Sequence, residues 1–310
     1  MALISASLSQ LGFVTEAVWG TTPATPVWQI LRFTPPENFK ADRENTSSNE
    51  MRPDRNATDL IQVGGGASGG FGFELSYGTY DTLLESFFQS TWESDVLKNG
   101  VTPKTFSFER KMPTGAATAE YFRFTGMQGN SLSISCKAKE VVSGTMDFVG
   151  KAGAVASAIV SGATYTDPST TEVFSPVADF AALSVGGVST AHVLGLTFQA
   201  NNNLRAPSAL GSVDAIGIGS GKFEVTGTID VYFEDTTLYA KYLSGDAIAL
   251  EFTIGSTTAN KYTFSMANIK LETAEAPVSG PDDDLIMNFS YRALYDSTDE
   301  CTLMITRAVA

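Results

Sequence analysis

Histidine is almost missing from this sequence: among 310 residues there is one, His192. A multi-histidine metal site is thereby excluded. A Ser-His-Asp arrangement stays formally open, but no Gly-x-Ser-x-Gly turn accompanies it, and His192, between Ala191 and Val193, reads as a strand-end residue. Basic residues are also scarce, with 20 Lys plus Arg against 34 Asp plus Glu and a formal net charge of -14. That balance argues against tight binding of nucleic acid, which needs clustered cations to neutralise phosphates, and against an anionic membrane surface. There is no run of about 18 uncharged apolar residues to span a membrane, and Met1 to Val14 lacks the basic start and apolar block of a secretory signal. Neither secretion nor membrane insertion is expected, so the two cysteines, Cys136 and Cys301, are read as buried reduced thiols.

What is abundant is period-two alternation. Phe71, Phe73, Leu75 and Tyr77 alternate with small or polar residues, as do Leu132, Ile134 and Cys136, then Ile229, Val231 and Phe233, then Tyr262, Phe264 and Met266, then Leu285, Met287, Phe289 and Tyr291. Such segments predict half-buried antiparallel strands. Gly, Asn, Asp and Pro punctuate them about every ten residues, which favours a sandwich or barrel over a parallel sheet with crossover helices. Two segments switch to helical spacing. Thr79 to Ser90 carries Leu83, Leu84, Phe87 and Phe88, and Asp235 to Ser244 carries Leu238, Tyr239, Tyr242 and Leu243. Each predicts a short amphipathic helix covering a sheet, the second ending at Gly245.

These helices expose an internal repeat. Gly72, Tyr77, Thr82 and Leu83 align with Gly227, Tyr232, Thr237 and Leu238 at a constant spacing; farther on, Phe122 and Phe124 align with Tyr262 and Phe264, and Met146-Asp147-Phe148 with Met287-Asn288-Phe289. A tandem duplication is the expectation: a first domain over 1–152 with an N-terminal arm at 1–26, a linker or surface excursion at 153–180, and a second domain over 181–310. The arm is expected to order on assembly.

The remaining motifs point away from catalysis. Gly64-Gly65-Gly66-Ala67-Ser68-Gly69 matches Gly-x-Gly-x-x-Gly, but a strand and not a helix is predicted after it, so no dinucleotide site follows. Asp282-Asp283-Asp284 lacks the alternating ligand spacing of a calcium loop. No spacing among the carboxylates selects an acid-base pair. No catalytic residue, cofactor or metal is expected. The long polar stretch from Glu37 to Gly66 mixes Lys40, Arg43, Arg52 and Arg55 with Asp42, Glu44, Glu50, Asp54 and Asp59. Balanced charge suits contact with another surface of the same protein.

The segments Glu16-Ala17-Val18-Trp19-Gly20-Thr21-Thr22-Pro23, Phe73 through Asp81, Phe124-Thr125-Gly126 with Asn130-Ser131-Leu132, Phe148-Val149-Gly150-Lys151, Tyr232-Phe233-Glu234-Asp235 and Phe289 through Asp296 resemble, in order and spacing, the major tail tube proteins of long-tailed bacteriophages. The resemblance covers nearly the whole chain. It implies a mainly β fold of tandem sandwich or barrel domains, each with one flanking helix, whose strands join across subunits into a closed barrel around a DNA-wide lumen. It also implies a structural and non-enzymatic subunit of the virion tail, assembled in the host cytoplasm. Its expected partners are copies of itself in trimeric, pseudo-sixfold rings, the tape measure and the terminator and initiator proteins, with double-stranded DNA passing without tight binding. Stacking of rings is expected to use Lys40, Asp42, Arg43, Glu44, Arg52, Asp54 and Arg55. The alternative from another class is a carbohydrate-binding or adhesive β-sandwich module of a phage tail.

Overall fold

The computed structural model describes residues 5–114, 118–177, 179–186, 188–189, 192–255, 259–275, 277, 280 and 282–308. The chain is mainly β, as its alternation predicts. In chain order the strands are β1 (Gln10–Thr15), β2 (Val27–Ile30), β3 (Thr34–Glu37), β4 (Lys40–Ser47), β5 (Leu60–Glu74), β6 (Val96–Lys98), β7 (Thr105–Pro113), β8 (Ala119–Lys137), β9 (Ser143–Gly150), β10 (Ala152–Ala156), β11 (Thr164–Thr166), β12 (Phe180–Val185), β13 (Val188–Ser189), β14 (Val193–Asn201), β15 (Glu224–Tyr232), β16 (Ile248–Gly255), β17 (Lys261–Glu275), β18 (Ile286–Ala293) and β19 (Met304–Ala308). Two helices interrupt them, α1 (Asp81–Phe88) and α2 (Thr237–Ser244). Each stops where its C-cap residue turns left-handed, Gln89 at φ 47° and Gly245 at φ 68°, which releases the chain and satisfies the last carbonyls. Asp235 Oδ1 accepts the Thr237 amide at 2.8 Å and so serves the start of α2 from just outside it.

One antiparallel sheet runs through the whole molecule in the order β4–β5–β9–β8–β14–β15–β18–β17. It is open at both ends. The long strand β8 belongs to two layers: residues 119–128 pair with β7, and residues 128–135 pair with β9. Strand β17 does the same, pairing with β16 over Lys261–Ile269 and with β18 over Ile269–Glu275. The layers meet face to face over alternating side chains, with Phe39 stacked on Phe108 at 4.7 Å in one half and Phe198 against Phe264 at 5.4 Å in the other. Each fully buried Phe contributes roughly 1.5–3 kcal/mol relative to exposure.

The pairing scheme occurs twice. Strands β5, β7, β8, β9 and β10 pair among themselves as β15, β16, β17, β18 and β19 do, β10 and β19 both lying on the N-terminal part of the long strand. Irregularities coincide as well. The register between β7 and β8 shifts between Phe106 and Phe108, where Phe106 faces Met127 and Phe108 faces Phe124. Between β16 and β17 it shifts between Ile248 and Leu250, which face Ile269 and Met266. All four pairs of positions are 142 residues apart. A second shift, between Gly129 and Ser131 in β8, recurs between Leu271 and Thr273 in β17, again 142 apart.

The recurrence of the pairing scheme has a different register from the alignment read in the sequence. Gly69, which faces Phe148, corresponds to Gly227, which faces Tyr291, and not Gly72 to Gly227. Loops of unequal length account for two of the three residues of the slip: six residues, 75–80, separate β5 from α1, whereas four, 233–236, separate β15 from α2. The gap-free alignment tracked the helices and broke the faces of the strands.

Two other segments also differ from expectation. Gln10–Thr15 of the expected arm is the ordered strand β1, paired with β7 and β2, and its Leu11 is fully buried. The stretch 153–180 folds onto the first half: β10 pairs with β8, β11 runs parallel to β2, and Phe174 exchanges backbone hydrogen bonds with Leu75 and Val142. Its Ala, Ser and Gly content suggested a linker, but an edge strand needs only a backbone and space.

Candidate assembly surfaces

Strands β4 and β5 extend beyond the body as a two-stranded ribbon. Ser47 pairs with Leu60, and residues 48–59 form its tip. Lys40 and Asp42 form an ion pair of 2.9 Å near its base. Partial burial would raise the Asp42 carboxyl, but the Ser68 hydroxyl donated to it and the Lys40 ammonium hold it below its usual value. At the tip Arg52 grips Asp54 through two donors, at 3.0 and 2.8 Å, and this pulls the Asp54 carboxyl down to about 2. Arg43, Glu44 and Arg55 form no ion pair among the described residues and are exposed. The seven charged residues singled out in the sequence thus lie along one ribbon, as two ion pairs and three outward charges. What the charge pattern did not announce is the apolar content of the same ribbon: Met51 is 100% exposed, and Leu60, Ile61 and Val63 are about half exposed. An isolated two-stranded ribbon is marginal in water, and apolar groups displayed on one mark a contact surface.

The second surface is the face of the eight-stranded sheet turned away from the core. Alternation puts Leu132, Ile134 and Cys136 inward and Ser131, Ser133 and Ser135 outward. Hydroxyl pairs bridge neighbouring strands across this face: Ser133 with Thr145 at 2.7 Å, Thr197 with Thr228 at 2.8 Å, and Thr273 with Ser290 at 2.6 Å. Gln199 donates to Ser131 at 3.0 Å. Asp147 and Asp230 share the face, and burial raises both carboxyls, with Lys137 opposing the rise at Asp230. Arg292 is held by Glu272 at 2.6 Å. Among the described residues the face is polar, and its cations Lys137 and Lys270 lie apart on β8 and β17.

The two halves are joined by more than β8 and β14. Strand β6 pairs with β19, and Arg307 of β19 donates to Asp81 at 2.6 Å and to Asp95 at 2.8 Å while its guanidinium lies 4.6 Å over the Trp92 ring. Tyr262 donates to Asp81 and accepts the Gly78 amide. Asn202, 4% exposed, donates to the carbonyls of Phe87 and Gly129.

The N-terminal motif around Glu16 also has a physical account. The Glu16 carboxylate, 8% exposed, accepts the amides of Gly20 and Gly126, both at 2.8 Å, and the hydroxyls of Ser107 at 2.7 Å and Thr105 at 3.1 Å. Trp19 donates to the Gly126 carbonyl and lies under Lys151. One carboxylate thereby pins the segment after β1 to both β7 and β8.

The model of one family, described as phage tail tube protein, matches residues 6–293. The chain belongs to that family. No curated protein sequence matches the chain. A tail tube protein is a structural component of the virion tail, and the features that suggested chemistry fit that assignment. The His192 side chain is 79% exposed and pairs with Glu234. The Gly64–Gly69 motif lies inside β5, where no helix N-terminus can face a phosphate. Among the described residues no group of His, Cys, Asp and Glu could hold a metal ion, and no helix is long and apolar enough to cross a membrane. Cys136 and Cys301 are both buried and free.

Proposed function

We propose that this tail tube protein is the ring-forming subunit of the tube wall, that three chains carrying six copies of the repeat close one ring, and that rings stack into a conduit for double-stranded DNA. The observation that carries this reading is the doubled pairing scheme, with both register shifts recurring at a spacing of 142 residues. On this reading the two halves are copies of one unit side by side in one continuous sheet, and a sheet that is open at both ends extends by adding the same unit again. The hydroxyl-bearing face suits a DNA passage: Ser and Thr keep it wet, its carboxylates repel phosphates, Arg292 is already paired and its lysines are scattered, so a polyanion slides along it without being held. Stacking falls to the tip of the ribbon, where Met51, Arg52, Asp54 and Arg55 are displayed.

Negative-stain electron microscopy of the purified chain over a concentration series tests the reading. Hollow striated tubes or stacked rings are expected, with three chains per ring by symmetry averaging or native mass. Rings of six chains would reject the trimer, and persistent monomers at every concentration would reject the tube subunit.

A further inference from the structure

The doubled fold contains a template for a junction that a single chain cannot complete. Within the chain the two repeats meet where β14 lies on the outer edge of β8, with Ser131 opposite Asn201, Leu132 opposite Ala200 and Ser133 opposite Gln199. The corresponding edge of β17, beyond its last contact with β16 at Ile269, has no strand on it among the described residues. The counterpart of β14 in the first repeat is β3 with the start of β4. Ala67 faces Gly150 as Val225 faces Ala293, and their other neighbours are Ala41 and Ala200, so that Ala41 and Ala200 are equivalent, 159 residues apart. The outer edge of β4 is likewise without a strand.

Moving the inner junction by these spacings gives a specific register. We propose that β4 of a second copy of this chain adds antiparallel to the outer edge of β17, with Asp42 opposite Thr273, Ala41 opposite Ala274 and Lys40 opposite Glu275. The inference rests on the ring reading and names the strands and register that close it. This register sets the cation of Lys40 across from the anion of Glu275 and brings Arg43 beside Glu272. Cross-strand pairs of opposite sign favour a register, and like charges disfavour it. Small side chains, Ala41 and Ala274, meet between them.

The new junction is also predicted to be the weaker of the two. The inner one is clasped by β6 on β19 and by Arg307 between Asp81 and Asp95. The segment that supplies β6 and Trp92 spans residues 89–104 between α1 and β7, whereas only 245–247 separate α2 from β16. The second repeat therefore has no matching clasp to place on its neighbour, and the ring opens between chains before it opens within one.

The test is oxidative crosslinking of the full-length double variant Ala41→Cys with Ala274→Cys under conditions in which the unsubstituted chain assembles. The two native cysteines, 6% and 4% exposed, stay silent. Interchain disulfides that ladder up to a closed trimer are expected, and at least tenfold less crosslinking is expected when Ala41→Cys is combined with Leu271→Cys, a position displaced along the same strand. A charge exchange gives an independent readout: Lys40→Glu and Glu275→Lys each reduce assembly, and the double variant restores it. Tubes that form without crosslinking, equal crosslinking from the displaced pair, or a double exchange no better than the single ones would overturn the register while leaving the tube reading intact. Crosslinked trimers that never stack would support the register and count against the tube.

Discussion

Replacing Glu16 with Ala removes the acceptor of four hydrogen bonds at a site that water hardly reaches. Two of the donors are the backbone amides of Gly20 and Gly126, which cannot rotate away; the other two, Ser107 and Thr105, are hydroxyls that can turn to new partners. A buried amide left without an acceptor costs about 1–3 kcal/mol, and bonds to a charged group lie at the upper end. Two stranded amides plus the lost contact place Glu16→Ala about 3–5 kcal/mol below the parent. Glu16→Gln keeps the shape and one oxygen but presents an amide N–H to one of the backbone donors, so about 1–2 kcal/mol is expected. Urea unfolding of the unassembled chain measures both. With a slope of about 2–3 kcal/mol per molar, the Ala midpoint falls by about 1–2 M and the Gln midpoint lies between it and the parent. An Ala variant within about 0.2 M of the parent, the range of a neutral surface substitution, would show that Glu16 does not pin the N-terminal segment.

Three further outcomes follow from the geometry. A Cβ at Gly227 would stand 2.1 Å from the Thr197 carbonyl oxygen and 2.5 Å from the Tyr291 hydroxyl, so Gly227→Ala should cost more than about 3 kcal/mol and yield little folded protein by circular dichroism and size exclusion. Arg307→Ala strands Asp81 and Asp95 and uncovers Trp92, and should lower stability by about 1–3 kcal/mol with faster amide exchange in β6 and β19 than in β8; unchanged exchange there would deny the clasp. At the ribbon tip the Asp54 carboxyl is depressed to about 2 from 3.8 by Arg52. A depressed carboxyl supports the folded ribbon above its unfolded value and loses that support as pH falls toward 2. Carboxyl-carbon NMR should show a low Asp54 midpoint that rises toward 3.8 in Arg52→Ala, and an ordinary midpoint in the parent would contradict the pair.

Much of the fold was legible because alternation is a local property. The side chains of Leu132, Ile134 and Cys136, or of Met287, Phe289 and Tyr291, announce one buried face whatever they pack against. The helices were legible for the same reason. The register of the repeat was not. Spacing counted along the chain mixes strand positions with loop lengths, and only the paired register shifts at Phe106/Phe108 and Ile248/Leu250 show which residues are equivalent. Strands β1, β10 and β11 were missed because short edge strands are held by backbone hydrogen bonds that leave little mark on side-chain pattern. The charged ribbon was legible as a surface, but its apolar residues gained meaning only once they were found projecting from the body.

By itself the sequence determined the class of fold, the two helices and the acidic character, since each of these depends on residue type and near-neighbour spacing. Tertiary structure decided which edges are left open, which face of the sheet carries the hydroxyls as one surface, and how Lys40 and Glu275, distant in the chain, come to lie on the two opposite edge strands of one sheet. Those are properties of pairing between remote segments, and pairing is set by where hydrogen bonds and buried side chains of the whole molecule are satisfied together.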